Sequence, residues 1–162
     1  MPKITQLEPD IAVAPQLSAA DFAELAARGF RSVVDIRPDG EAQDQLPNAL
    51  AAAAAYRHDL AFRYLPVRSL NVTDDDVVGA FTRLVADLPA PILFYCGTST
   101  RCTTLWVQAA APRLGVDQVL GVARANGYEL EFLRGLLQER AEWQSATPLV
   151  PAAAQAARGR TL

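Results

Sequence analysis

Apolar residues in this chain come in short runs separated by stretches with helical spacing. Ile11 to Ala14 is one such run and Arg31 to Ile36 another, the second rich in β-branched Val33, Val34 and Ile36; both read as strands. Phe62 to Val67 is strand-like but broken by Pro66, and Ile92 to Tyr95 is apolar at every position, as in a strand covered on both faces. Between the strands, Ser18 and Asp21 have capping-box spacing and open a helix that Gly29 stops. Arg37 to Gly40 reads as a turn by its Pro38 and Gly40. Pro47 can start a helix that takes in Ala49 to Ala55, and Asp74, Asp75 and Asp76 place carboxylates on the positive end of a helix running to Leu88. Past Tyr95 the pattern predicts a helix from Cys102 to just before Pro112, another over Asp117 to Ala125, and a last one from Tyr128 to Trp143. Strands alternating with helices predict an α/β fold, a mostly parallel central sheet flanked by helices.

Residues 1–144 are expected to form a single domain, because 162 residues suit one core. Residues 145–162 lack a packing pattern and are expected to form a flexible tail. The hydrophobic share of 51% overstates the core, since about 30 of those residues are alanine. Two cysteines and the lone His58, which ends an alanine-rich helix and reads as structural, cannot build a disulfide scaffold or a four-ligand zinc site. The expectation is a protein of a reducing, cytoplasmic compartment with no metal and no cofactor. A net charge of -3 without basic clusters argues against nucleic acid as partner. No apolar run approaches the roughly 18 residues of a membrane span.

The candidate chemistry lies between Ile92 and Trp106, a strand, a short loop and a helix in that order. In open α/β sheets ligands gather beyond the carboxyl ends of strands. Cys96 sits at that junction, where a helix amino terminus aims free N–H groups at an anion and lowers a thiol's pKa. Arg101, five residues on, offers a planar fork to two oxygens of a phosphate-like group. Gly97, Thr98, Ser99, Thr100 and Cys102 would line such a cradle. The plain alternative is a structural cysteine capping a buried strand.

Several ordered segments carry a resemblance: Gly29 to Glu41, Gln45, Tyr64 to Val67, Thr73 to Val77, Tyr95-Cys96 through Leu105-Trp106, and Gly127 to Leu130. Over about residues 3 to 137 the chain resembles the bacterial beta-lactamase hydrolase-like protein family, phosphatase-like domain. The resemblance implies a fold of the cysteine-phosphatase type, with Cys96 as nucleophile and Arg101 gripping phosphate. Family members usually read Cys-Arg-Ser-Gly-Thr-Arg-Ser, whereas this chain has Gly97, Thr98, Ser99 and Cys102 at the differing positions. Ser99 in place of glycine is expected to avoid positive φ. Cys102 is a weaker donor to the nucleophile's sulfur than serine. It could also capture an oxidised Cys96 as a disulfide.

A phosphatase needs a general acid. Arg68 to Asn71 hold no carboxylate where dual-specificity enzymes would place one. Asp39 and Glu41, in the turn after a strand, are the alternatives, with Asp39 the residue assigned; Asp35 reads as structural. The leading function is therefore a cysteine-dependent phosphatase acting on a small phosphate ester or a phosphoprotein. Four residues separate Cys96 from Arg101, the loop size of rhodanese-like sulfurtransferases, so a Cys96 persulfide enzyme is the second reading. A non-catalytic phosphate-binding module is the third.

Overall fold

The computed structural model describes residues 1–146; the expected tail lies, but for its first two residues, outside the described residues. Five strands form one sheet in the order β1-β2-β5-β3-β4. They are β1 (Thr5–Glu8), β2 (Ile11–Ala14), β3 (Ser32–Asp35), β4 (Ala61–Tyr64) and β5 (Ile92–Tyr95). Only β1 runs antiparallel; β2, β5, β3 and β4 are mutually parallel. Among the described residues six helices flank the sheet or pack on those that do: α1 (Asp21–Ala27), α2 (Asn48–Arg57), α3 (Asp75–Asp87), α4 (Thr100–Leu114), α5 (Val116–Ala125) and α6 (Arg134–Ala146). None of the described helices is long and apolar enough to cross a membrane.

Alternation along the strands divides the core in two. Val13, Val34, Ile92 and Phe94 face a layer that includes Phe81 of α3 and Leu105 and Trp106 of α4. Ala12, Ala14, Val33, Leu93 and Tyr95 face α1 and α2. On that second face Phe22 and Leu25 are fully buried, each stabilising by roughly 1.5–3 kcal/mol. Ala51, Ala54 and Ala55 present no side-chain bulk, so α2 packs flush on the sheet. Gly29 ends α1 with φ of 94°, in the left-handed region that suits glycine.

Three elements differ from expectation. β1 is an edge strand with little apolar signal, yet it matters: Glu8 accepts from Trp106 Nε1 at 2.8 Å and from both terminal nitrogens of Arg113. Helix α4 does not stop before Pro112 but runs to Leu114. A proline in the last turn forfeits one hydrogen bond, and Gly115 N–H still closes on Ala111 O at 2.9 Å. The last helix begins at Arg134 and not at Tyr128, after a short 3-10 turn over Glu131–Leu133. Pairing also extends past β4, where Leu65 N–H donates to Asp35 O and Val67 N–H to Ile36 O, both at 2.9 Å.

Candidate active site

Because β5 lies between β2 and β3, its carboxyl end is flanked by the segments that leave both neighbours. Cys96 N–H donates to Ala14 O and Gln16 N–H to Gly97 O, each at 3.3 Å, while Ile36 N–H donates to Tyr95 O at 2.9 Å. From this pinned start the chain turns through Gly97, Thr98 and Ser99 into α4.

Ser99 carries φ of 71°, in the left-handed region, which corrects the expectation that a serine here avoids positive φ. Such a backbone costs about 1 kcal/mol or more and needs support. The Ser99 hydroxyl contacts Tyr128 Oη at 2.7 Å and also donates to Thr98 O. Its carbonyl accepts from Thr103 N–H at 3.1 Å and Thr103 Oγ1 at 3.0 Å. Tyr128, expected inside a helix, instead stands before α6 as a prop for the loop. Thr98 Oγ1 and Thr100 Oγ1 lie 3.3 Å apart at its exposed side.

Cys96 and Cys102 are both fully buried free thiols. The Cys102 thiol donates to Cys96 Sγ and, against the penalty of burial, so do the backbone N–H groups of Cys102 and Thr98. With the Arg101 charge added, these bring the Cys96 thiol down to about 6. Burial pushes Cys102 well up, so it remains the thiol and the donor. Cys96 is thus mostly thiolate at neutral pH. The ultraviolet thiolate absorbance that wild type shows and Cys96→Ser lacks should rise with a midpoint near pH 6. A midpoint at the ordinary thiol value of 9.0 would contradict this assignment.

Arg101 is held by one edge. Its Nη1 donates to Glu41 Oε2 and to Val67 O, each at 2.9 Å, and its Nη2 donates to Glu41 Oε1 at 2.7 Å. Glu41 Oε1 also accepts from Arg37 Nε at 3.0 Å, and Arg37 Nη1 reaches Gln16 Oε1 at 3.0 Å. Arg101 above all, and Arg37 after it, hold the Glu41 carboxyl below its usual range against some burial. Glu41 is therefore ionised near neutrality and acts as a tether. Nothing in the local spacing marks this pairing, since 60 residues separate Glu41 from Arg101.

Asp39 lies on the same rim with both carboxylate oxygens engaged. Oδ1 accepts from Asn48 N–H at 2.9 Å and Oδ2 from Asn48 Nδ2 at 2.5 Å, while Asp39 N–H donates to Tyr64 Oη at 2.9 Å. The assigned acid thus anchors the start of α2. Asp35 is buried at the end of β3, where Oδ1 accepts from Arg37 N–H at 2.9 Å and Oδ2 has no partner meeting hydrogen-bond geometry. Burial is the main cause that raises its carboxyl to about 6 from 3.8. A raised carboxyl favours the fold fully below 3.8, and that contribution is lost as pH climbs through about 6. Asp35→Asn, neutral throughout, should raise unfolding stability by about 1–3 kcal/mol at about pH 8 and by little at about pH 4. Denaturant titrations showing the same change in stability at both pH values would refute this.

A thiolate ringed by inward N–H groups and a tethered guanidinium can hold a tetrahedral oxyanion against sulfur. Comparison with known proteins agrees with that geometry. Residues 3–113 match the family of the beta-lactamase hydrolase-like protein, phosphatase-like domain. The beta-lactamase hydrolase-like proteins of Xylella fastidiosa (strain Temecula1) and Agrobacterium fabrum are 32% and 29% identical over 130 residues. That stretch is 79% of this chain and 30% of each relative, so the chain spans under a third of their length. A candidate phosphatase from Neisseria meningitidis superposes with a TM-score of 0.74 at 30% identity, covering 84% of this chain and 96% of that one. The active form of Tk-PTP shares the fold with a TM-score of 0.65 at 16% identity, covering 87% and 97%. The chain belongs to the family of the phosphatase-like domain of beta-lactamase hydrolase-like proteins, on a fold shared with tyrosine-phosphatase-like enzymes.

Proposed function

We propose that the chain is a cysteine-dependent phosphatase. The observation that carries this reading is the Cys96 thiolate within the loop that Arg101 and Glu41 close. The Cys96 thiolate attacks phosphorus of a phosphomonoester; the S–P bond forms as the bond to the leaving oxygen breaks, giving phosphocysteine and an alkoxide or phenoxide. Water then attacks phosphorus, releasing inorganic phosphate, a proton and the thiolate. Arg101 and the N–H groups of Gly97, Thr98, Ser99 and Thr100 stabilise the equatorial oxygens, and Cys102 steadies the sulfur as it leaves.

Neither carboxyl of the turn after β3 is a free acid. Glu41 is ionised, and Asp39 accepts from Asn48 with both oxygens. Leaving groups that depart without help, such as the phenoxide of a phosphotyrosine-like ester, suit this site best. Cys96 is buried, so substrate must part the side chains over it.

The four-residue spacing between Cys96 and Arg101 favours a second reading, a sulfurtransferase carrying a Cys96 persulfide. A phosphate-binding module without catalysis is the third. Incubation with an aryl phosphate, and separately with thiosulfate and cyanide, distinguishes the three. Phosphate release is expected. Thiocyanate without phosphate would establish the second reading, and neither product the third.

A further inference from the structure

The loop holds more cationic capacity than one phosphate requires. A Cβ placed on Gly97 would lie 3.5 Å from Arg37 Nε and 3.6 Å from Arg101 Nη2, so two guanidiniums flank one bare glycine beside Cys96. Both bind the same carboxylate oxygen, Glu41 Oε1. The Glu41 carboxylate is shared by the two arginines, and the Cys96 thiolate supplies the other nearby negative charge, so what the pair offers a ligand is unused donors.

Each arginine also retains donors. The Arg37 side chain engages the described residues through Nε and Nη1, with no partner among them at Nη2, and Arg101 Nε likewise has none among them. Arg37 is largely enclosed, with side-chain exposure of 16% against 14% for Arg101. Gln16, from the segment after β2, and Glu41 fix it on two sides. An arginine held this way is a preorganised fork and not a solvated surface charge.

We infer that Arg37 forms a second anion subsite next to the Arg101 cradle, and that the preferred substrate carries a second phosphoryl group adjacent to the reacting one. This rests on the phosphate-cradle reading above and narrows its substrate class. Arg101 and the loop N–H groups take the reacting phosphoryl, and Arg37 Nη2 takes the neighbour. Glu41 sets the separation of the two forks.

Binding in the Cys96→Ser protein, which cannot turn ligand over, tests this without relying on activity. Calorimetric titration should show inorganic pyrophosphate binding at least about tenfold tighter than orthophosphate. In Cys96→Ser/Arg37→Met the pyrophosphate affinity should fall by at least about tenfold more than the orthophosphate affinity, so that the preference vanishes. Arg37→Lys on the same background keeps the charge without the fork and should retain part of the preference, which excludes general damage to the rim. Orthophosphate binding with the same pyrophosphate ratio in the presence and absence of Arg37 would overturn the inference and leave the cradle intact. Failure of both anions to bind would overturn the cradle itself, and the inference with it.

Discussion

Cys96→Ser lowers the rate of phosphate release from an aryl phosphate by at least about a thousandfold, because removal of an activated nucleophile leaves only the binding and charge stabilisation of the loop. A serine hydroxyl is not ionised near neutrality, and the contacts that lower the Cys96 thiol to about 6 cannot bring an alcohol into that range. The fold should survive, since serine is smaller than cysteine and the Thr98 and Cys102 N–H groups can still find an oxygen acceptor. A full-length melting transition alongside lost activity is the expected pair of results. Residual activity within about tenfold of wild type would show that Cys96 is structural and that another group does the chemistry.

Arg101→Lys is expected to lower kcat/KM for the same ester by about a hundredfold to a thousandfold. Lysine keeps the positive charge but cannot hold both Glu41 oxygens and Val67 O while presenting a second edge to phosphate. The loss should fall chiefly on kcat, where the equatorial oxygens gain charge, with KM changing less. Glu41 should act through Arg101, so adding Glu41→Gln to Arg101→Lys should cost little more than either change alone. Additive losses would mean that Glu41 has a separate role.

Much of the fold was readable because the inner strands are buried on both faces. Ile92 to Tyr95 therefore shows as an unbroken apolar run, and Val33 to Ile36 as one interrupted only by Asp35. β1 was hidden for the opposite reason: only Leu7 sends an apolar side chain into the core, while Gln6 is exposed and Glu8 reaches sideways to Trp106 and Arg113. Pro112 misled because its penalty depends on position, and in the last turn it removes a single bond.

At the site, Cys96 and Arg101 stood out as a local strand-loop-helix pattern. Their supports did not, because they come from distant segments that meet only when the parallel strands align their carboxyl ends. Arg37, Glu41 and Val67 arrive from beyond β3 and β4, and Tyr128 from beyond α5. The positive φ of Ser99 was unexpected because its compensation is tertiary, through that same Tyr128 hydroxyl. Asp39 drew attention by lying in the turn after β3, and its bonds to Asn48, which fix it at the start of α2, were not legible from that turn alone.

The central claim is a covalent phosphoryl transfer to one sulfur, and its intermediate can be weighed. Wild-type protein mixed with excess aryl phosphate, quenched in acid within the first turnovers and digested, should give a peptide containing Cys96 heavier by one phosphoryl group. The mass should return to that of the free thiol once substrate is exhausted, and Cys96→Ser should never acquire it. Phosphate release with Cys96 unmodified at every time point, or with the phosphoryl group on another residue, would contradict the account.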